Sequence, residues 1–310
     1  MEFSLVTDKP VVIYDTSAIN ALYDDVYCDA RLTTLRCAYH PRLVFSVLDE
    51  LVATQDAYKN KRLYDMALSL QSAGDPMLPF NYLLIAHMRE YCTNATYDWK
   101  AANCSGEHLR EAIIENRHGM TEQLTKEQLA SNRITENEYK NALKSFRKLL
   151  QEVDESLDVF ATPEDFLKQA FEQDGRFWKL GASLMNHALE IIREEEPQIV
   201  LVPAMLGLSK KPFVPDDAIR FAELCPPFNS LILGIAQSEY SRVHDPSLNE
   251  EQRKKSAGRA DTYMSVYLPY CRFFVTNDAG QFSSLAPTAS RAGLKADVKM
   301  YSDFWKELPY

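Results

Sequence analysis

Two short apolar runs, far apart in the chain, end in the same way. Val11-Val12-Ile13-Tyr14 stops at Asp15-Thr16-Ser17, and Phe273-Phe274-Val275 stops at Thr276-Asn277-Asp278. Runs of aromatic and β-branched residues with no polar alternation are what a strand buried on both faces of a parallel sheet requires. The abrupt polar endings place Asp15 and Asp278 at strand carboxyl ends. In open α/β sheets the crevice beyond those ends is where ligands bind, so a carboxylate delivered there is positioned for chemistry.

The rest of the chain is compatible with such a sheet. With 310 residues, 46% of them hydrophobic, it can bury a large core as one big domain or two ordinary ones. No apolar run approaches the roughly 18 residues that a membrane span needs, and Met1-Glu2-Phe3-Ser4 does not open a secretory signal, so a soluble cytoplasmic protein without membrane contact is expected. The cysteines at 28, 37, 92, 104, 225 and 271 form no closely spaced pair and read as reduced, mostly buried thiols. A zinc set from His87, Cys92, Cys104 and His108 is the sharper alternative, but it lacks the tight paired spacing of zinc motifs. The formal net charge of −10 disfavours indiscriminate nucleic-acid binding, which depends on Lys and Arg neutralising phosphates. Any such contact must be local, at Arg253, Lys254, Lys255 and Arg259 or secondarily Lys210-Lys211, unless these runs are merely solvated.

After the first strand, Ala18, Ile19, Leu22 and Tyr23 recur at helical spacing, with Thr16 or Ser17 as the cap. Leu43 to Phe45 read as a second short strand, and Ser46 with Asp49 as a capping box that leaves Glu50 facing the carboxyl edge of the sheet. From about residue 55 to about 225 the pattern turns helical. Asn81 to Arg89, Ala142 to Leu157 and Phe177 to Ile192 are amphipathic or apolar helices, and Thr162-Pro163 with Asp165 signals another helix start. Ile199 to Val202 is an ambiguous run that could add a strand. Asp216 to Ser241 is helical with a break at Pro226-Pro227, and Ala260, Met264 and Leu268 share a face beside Asp261. Ala296 to Tyr301 forms a last strand, and Asp303 to Leu308 a last helical turn. Neither a repeat nor a low-complexity tract occurs.

Asp15, Glu50, Asp261 and Asp278 then stand together, two at strand ends and two on helices flanking them. Carboxylates gathered without basic partners repel one another and raise their pKa values, unless a hard cation such as Mg²⁺ or Mn²⁺ fills the site. Such ions activate water and steady the leaving oxygen of a phosphoryl displacement, which points to phosphodiester hydrolysis. An aspartyl-phosphate phosphatase would want a second Asp where Ser17 stands, and no glycine-rich nucleotide motif occurs.

The combination of Asp15-Thr16-Ser17 after a strand, Ser46-Val47-Leu48-Asp49-Glu50-Leu51, and Asp261 followed by Phe273-Phe274-Val275-Thr276-Asn277-Asp278 resembles the PIN-domain metal-dependent nucleases. The resemblance covers about residues 1 to 60 and 228 to 310. It implies a PIN-like α/β fold, with a central mostly parallel sheet flanked by helices, as a discontinuous domain over 1–60 and 228–310. Residues 61–227 would be a large all-helical insertion, which compact members of the family lack. It implies a hydrolase, an endoribonuclease cleaving single-stranded RNA, with Asp15, Glu50, Asp261 and Asp278 as catalytic metal ligands for Mg²⁺ or Mn²⁺. Thr16, Ser17, Thr276 and Asn277 would set those ligands, and Arg253, Lys254, Lys255 and Arg259 would meet substrate phosphates. Two other readings stay open: a structure-specific DNA nuclease of the same superfamily, and a non-catalytic PIN-like scaffold that binds a protein partner, or itself, through the helical insertion.

Overall fold

The structure, a computed structural model, describes residues 9–52, 57–71, 76–94, 96–100, 102, 104, 163–168, 171, 175–195, 212–244 and 262–307. Asp261, the basic run at 253–259, Lys210-Lys211, the expected helix at 142–157 and the expected strand at 199–202 lie outside the described residues.

Four parallel strands form one sheet in the order β2-β1-β3-β4, with β1 Val11–Tyr14, β2 His40–Pro41, β3 Phe273–Thr276 and β4 Asp297–Met300. Val12, Ile13, Phe274 and Val275 are wholly buried, as the uninterrupted apolar runs of β1 and β3 require. The register sets Tyr14 opposite Val275, which levels Asp15 with Thr276 and leaves Asp278 two residues further along, so both aspartates emerge at the same end of the sheet. Parallel neighbours need long crossovers. The chain leaves β1 through α1 (Thr16–Tyr23) and α2 (Cys28–Ala38) toward β2, and leaves β3 through α10 (Ala279–Arg291) toward β4 on the other side. Strand order therefore reverses between β1 and β3, and the crevice at such a switch point opens beyond Asp15 and Asp278.

The second strand departs from expectation. Pairing with β1 occurs at His40–Pro41, extended by Arg42 N donating to Val12 O at 2.9 Å. Leu43 and Val44 are buried but outside the sheet ladder, Val44 making only an isolated bridge to Met77, and α3 (Phe45–Val52) begins at Phe45. That start places Ser46 inside the helix, where its hydroxyl meets the Tyr267 hydroxyl at 3.4 Å instead of capping.

Helices α4 (Ala57–Leu70), α5 (Phe80–Thr93), α6 (Pro163–Lys168), α7 (Arg176–Glu195), α8 (Pro215–Leu224) and α9 (Pro226–His244) follow, and a 3-10 helix at Met264–Tyr270 leads back to β3. α11 (Tyr301–Lys306) closes the chain after β4. The break at Pro226-Pro227 and the helix across Phe177 to Ile192 match the sequence reading. The described residues of 61–227 share one continuous set of buried apolar residues with the sheet. α4 crosses residue 60 and packs on α1 and α3, while the rings of Tyr91, Tyr97, Phe221 and Phe228 pack edge-on or tilted against one another in the helical part.

The return to β3 is held firmly. Tyr267 is wholly buried and donates to Leu78 O at 2.9 Å. Gly234 on α9 sits so close to the 3-10 helix that a Cβ there would lie 2.6 Å from Ser265 Oγ, so only glycine permits this packing. Among the described residues no helix is long and apolar enough to cross a membrane.

Candidate functional site

Asp15 and Asp278 share one local design. Each follows a strand, adopts an extended backbone and caps the next helix: Asp15 accepts from Ala18 N at 2.7 Å, and Asp278 accepts from Gln281 N at 2.9 Å. Thr16 and Ser17 were equally plausible caps by composition, but α1 starts at Thr16 and makes Asp15 the capping residue.

The two ends are stitched together by two hydroxyl relays. Asn277 N donates to Ser17 Oγ at 2.7 Å, and Ser17 Oγ lies 2.9 Å from each Asp15 carboxylate oxygen, between which its single proton is shared. Asp278 N donates to Thr276 Oγ1 at 3.0 Å, which in turn donates to Asp15 Oδ2 at 2.8 Å. Glu50, exposed on α3, accepts from Thr16 Oγ1 at 2.5 Å. Thr16, Ser17, Thr276 and Asn277 thus all serve the acids, Asn277 through its backbone.

A cleft of about 280 Å³ lies over this network, lined by Asp15, Thr16, Ser17, Asn20, Val47, Glu50, Met264, Asp278 and Gln281. Three of the four acids singled out from sequence therefore face one space. The fourth, Asp261, lies outside the described residues, although Met264, three positions on, reaches the lining. Asn20, Val47, Met264 and Gln281 were missed by sequence reasoning. Asn20 was accessible to it, being one helical turn beyond Thr16 on α1.

Asp15 is only 5% exposed, and burial pushes its pKa from 3.8 up to about 6. The bonds from Ala18, Thr276 and Ser17 pull the other way, and the charge of Glu50 adds to the rise. Loss of water is thus the leading cause, not repulsion within an acid cluster as the sequence suggested. Asp15 crosses from protonated to ionised near pH 6.

The donor chemistry suits a hard divalent cation: carboxylate oxygens, amide and hydroxyl groups, and no Lys or Arg among the described residues of the lining. Asp15, Glu50 and Asp278 could hold such an ion. Among the described residues, however, no three His, Cys, Asp or Glu side chains are already drawn together into a ligand cluster.

The zinc alternative meets a different arrangement. His87 is wholly buried, with Nε2 2.5 Å from Tyr270 Oη and Nδ1 3.1 Å from Tyr97 Oη, and Cys104 Sγ lies 3.7 Å from Nε2. Both ring nitrogens are engaged by phenols, and burial lowers the imidazole pKa to about 4, so the group is a neutral, satisfied part of the core. His108 lies outside the described residues.

Comparison with known proteins gives no match, whether to a family model, a curated protein or a solved structure.

Proposed function

We propose that the chain is a PIN-like, Mg²⁺- or Mn²⁺-dependent nuclease that hydrolyses phosphodiester bonds of single-stranded RNA. One observation carries this reading: Asp15, Glu50 and Asp278 line a single cleft beyond the carboxyl ends of β1 and β3, where strand order reverses. The proposed ligands are these three, with Asp261 joining them from its place just before the 3-10 helix. A divalent cation bound there would supply a water acidic enough to attack near neutral pH and would steady the leaving oxygen.

The protein's own residues perform the preparation. Ser17 and Thr276 hold the Asp15 carboxylate in one orientation through hydroxyls that are themselves fixed by the backbone of Asn277 and Asp278. Thr16 does the same for Glu50. Well above pH 6 Asp15 is ionised in a poorly hydrated place, a stored cost that a cation relieves. The basic residues Arg253, Lys254, Lys255 and Arg259 are proposed to guide phosphates, and the helical block to select substrate or partner.

The test is cleavage of labelled single-stranded RNA and of flapped DNA by purified protein with Mn²⁺, Mg²⁺ or EDTA. RNA should be cut in either metal, and EDTA, Asp15→Asn or Asp278→Asn should reduce cutting to background while circular dichroism stays native. Activity that survives EDTA or both substitutions removes the mechanism. Cutting of the flap alone transfers the reading to a structure-specific DNA nuclease, and no cutting of either favours the scaffold.

A further inference from the structure

On α1, Thr16, Asn20 and Tyr23 stand at positions i, i+4 and i+7 and so form one stripe along the helix. Thr16 and Asn20 line the cleft, while Tyr23 lies further along the axis, about 10 Å beyond Thr16 and about 4.5 Å beyond Asn20 at the usual helical rise. There α4 packs on α1 and adds a cluster of cations and aromatic rings. Lys59 Nζ and the Arg62 guanidinium each lie 5.7 Å from the centre of the Tyr23 ring. Arg62 is also 5.5 Å from the Tyr58 ring and donates to the Tyr58 hydroxyl at 3.2 Å. Tyr58 is 71% exposed.

We propose that this Tyr23–Tyr58–Lys59–Arg62 cluster is a binding platform for single-stranded nucleic acid, leading a strand along the α1 stripe into the cleft; it rests on the nuclease reading. Single strands are held by just this pairing of chemistries, rings on which bases stack and cations that meet the backbone. The placement resolves a charge problem. The cleft carries carboxylates, so phosphates need compensation outside it, and Lys59 and Arg62 provide it despite the −10 of the whole chain. Lys59 is held 3.5 Å from the exposed Asp24 carboxylate, a weak pair that a phosphate can displace. Arg62, between two tyrosines, is fixed in direction before any ligand arrives. The exposed Tyr58 ring distinguishes the expected ligand from a duplex, whose base faces are already stacked.

The experiment is fluorescence anisotropy of a labelled oligouridylate with the full-length protein in EDTA, where binding is read without turnover. Tyr58→Ala should weaken binding roughly 5- to 150-fold, while Tyr58→Phe, which keeps the ring, should bind like wild type. Lys59→Glu with Arg62→Glu should weaken binding and flatten the log K against log salt slope by about 0.7 for each phosphate that is no longer neutralised. A duplex of matched length should bind much more weakly. The platform is overturned if the oligouridylate does not bind, if these variants bind it with unchanged affinity and salt slope, or if the duplex binds as well. Platform-dependent binding without metal-dependent cleavage upholds the platform and removes only the chemistry. Metal-dependent cleavage with unchanged binding by the variants removes only the platform.

Discussion

Asp15 and Asp278 are built by the same local rule yet live in opposite surroundings. Both end a parallel strand and cap a helix, but Asp15 is buried beneath Ser17 and Thr276, whereas Asp278 stands exposed at the rim of the same cleft. The capping bond alone therefore does not set their chemistry. Desolvation does, raising the Asp15 pKa to about 6 against several opposing hydrogen bonds. A buried acid of this kind acts as the fixed point of a site, and an exposed one can adjust to what arrives.

The largest separation between them should appear on neutralising Asp15. Its pKa is higher folded than unfolded, so its stabilising contribution is fully present below pH 3.8 and is lost as pH rises through about 6. A shift of this size corresponds to about 3 kcal/mol. In metal-free buffer Asp15→Asn should therefore be more stable than wild type at pH 7.5, by up to about 3 kcal/mol less whatever the amide loses in bonding. Its stability should also lack the decline between pH 4 and pH 6. Urea titrations across pH measure both, and a parallel decline in the variant would show that Asp15 is not the residue responsible.

A smaller effect should follow from cutting one relay. Thr276 is wholly buried, donates to Asp15 and accepts from Asp278 N. Thr276→Val keeps the shape but leaves a buried carboxylate oxygen short of a donor, a cost of about 1–3 kcal/mol. Because this bond lowers the Asp15 pKa, its loss should move the upper end of the pH-dependent decline above its wild-type position near 6. An upper end that stays in place would mean that Ser17 and the Ala18 amide suffice to hold the carboxylate.

These strand ends are also where the sequence was most legible. Uninterrupted buried runs mark β1 and β3 by composition alone, and acids at their ends are placed by the geometry of parallel sheets. Leu43 to Phe45 misled for a physical reason: short apolar runs carry no period that separates a strand from buried coil or a helix start. The actual pairing uses His40 and Pro41, which have no strand signature. Thr16 and Ser17 both read as caps, but the register of α1 gives that place to Asp15. Lys59 and Arg62 carry no signal of their own in the sequence, and only the packing of α4 on α1 sets them against Tyr23. Burial, the cause of the Asp15 shift, belongs to no residue type and emerges only from the packed structure.

The smallest effect should belong to Asp278, and its smallness is the informative part. Asparagine caps a helix about as well as aspartate, so Asp278→Asn retains the bond from Gln281 N while removing a charge exposed to solvent. The helix loses a favourable charge at its positive end, and the acidic cleft loses some repulsion, two modest terms of opposite sign. The net change in metal-free stability should stay within about 0.5 kcal/mol, the usual scatter of surface substitutions. More tellingly, Glu50 is the charged neighbour that shifts Asp15, so removing the Asp278 charge should leave the decline between pH 4 and pH 6 in place. If Asp278→Asn instead flattened that profile, the Asp278 charge would be part of what raises the Asp15 pKa. The contrast between a buried anchor and an exposed partner would then give way to a single shared site.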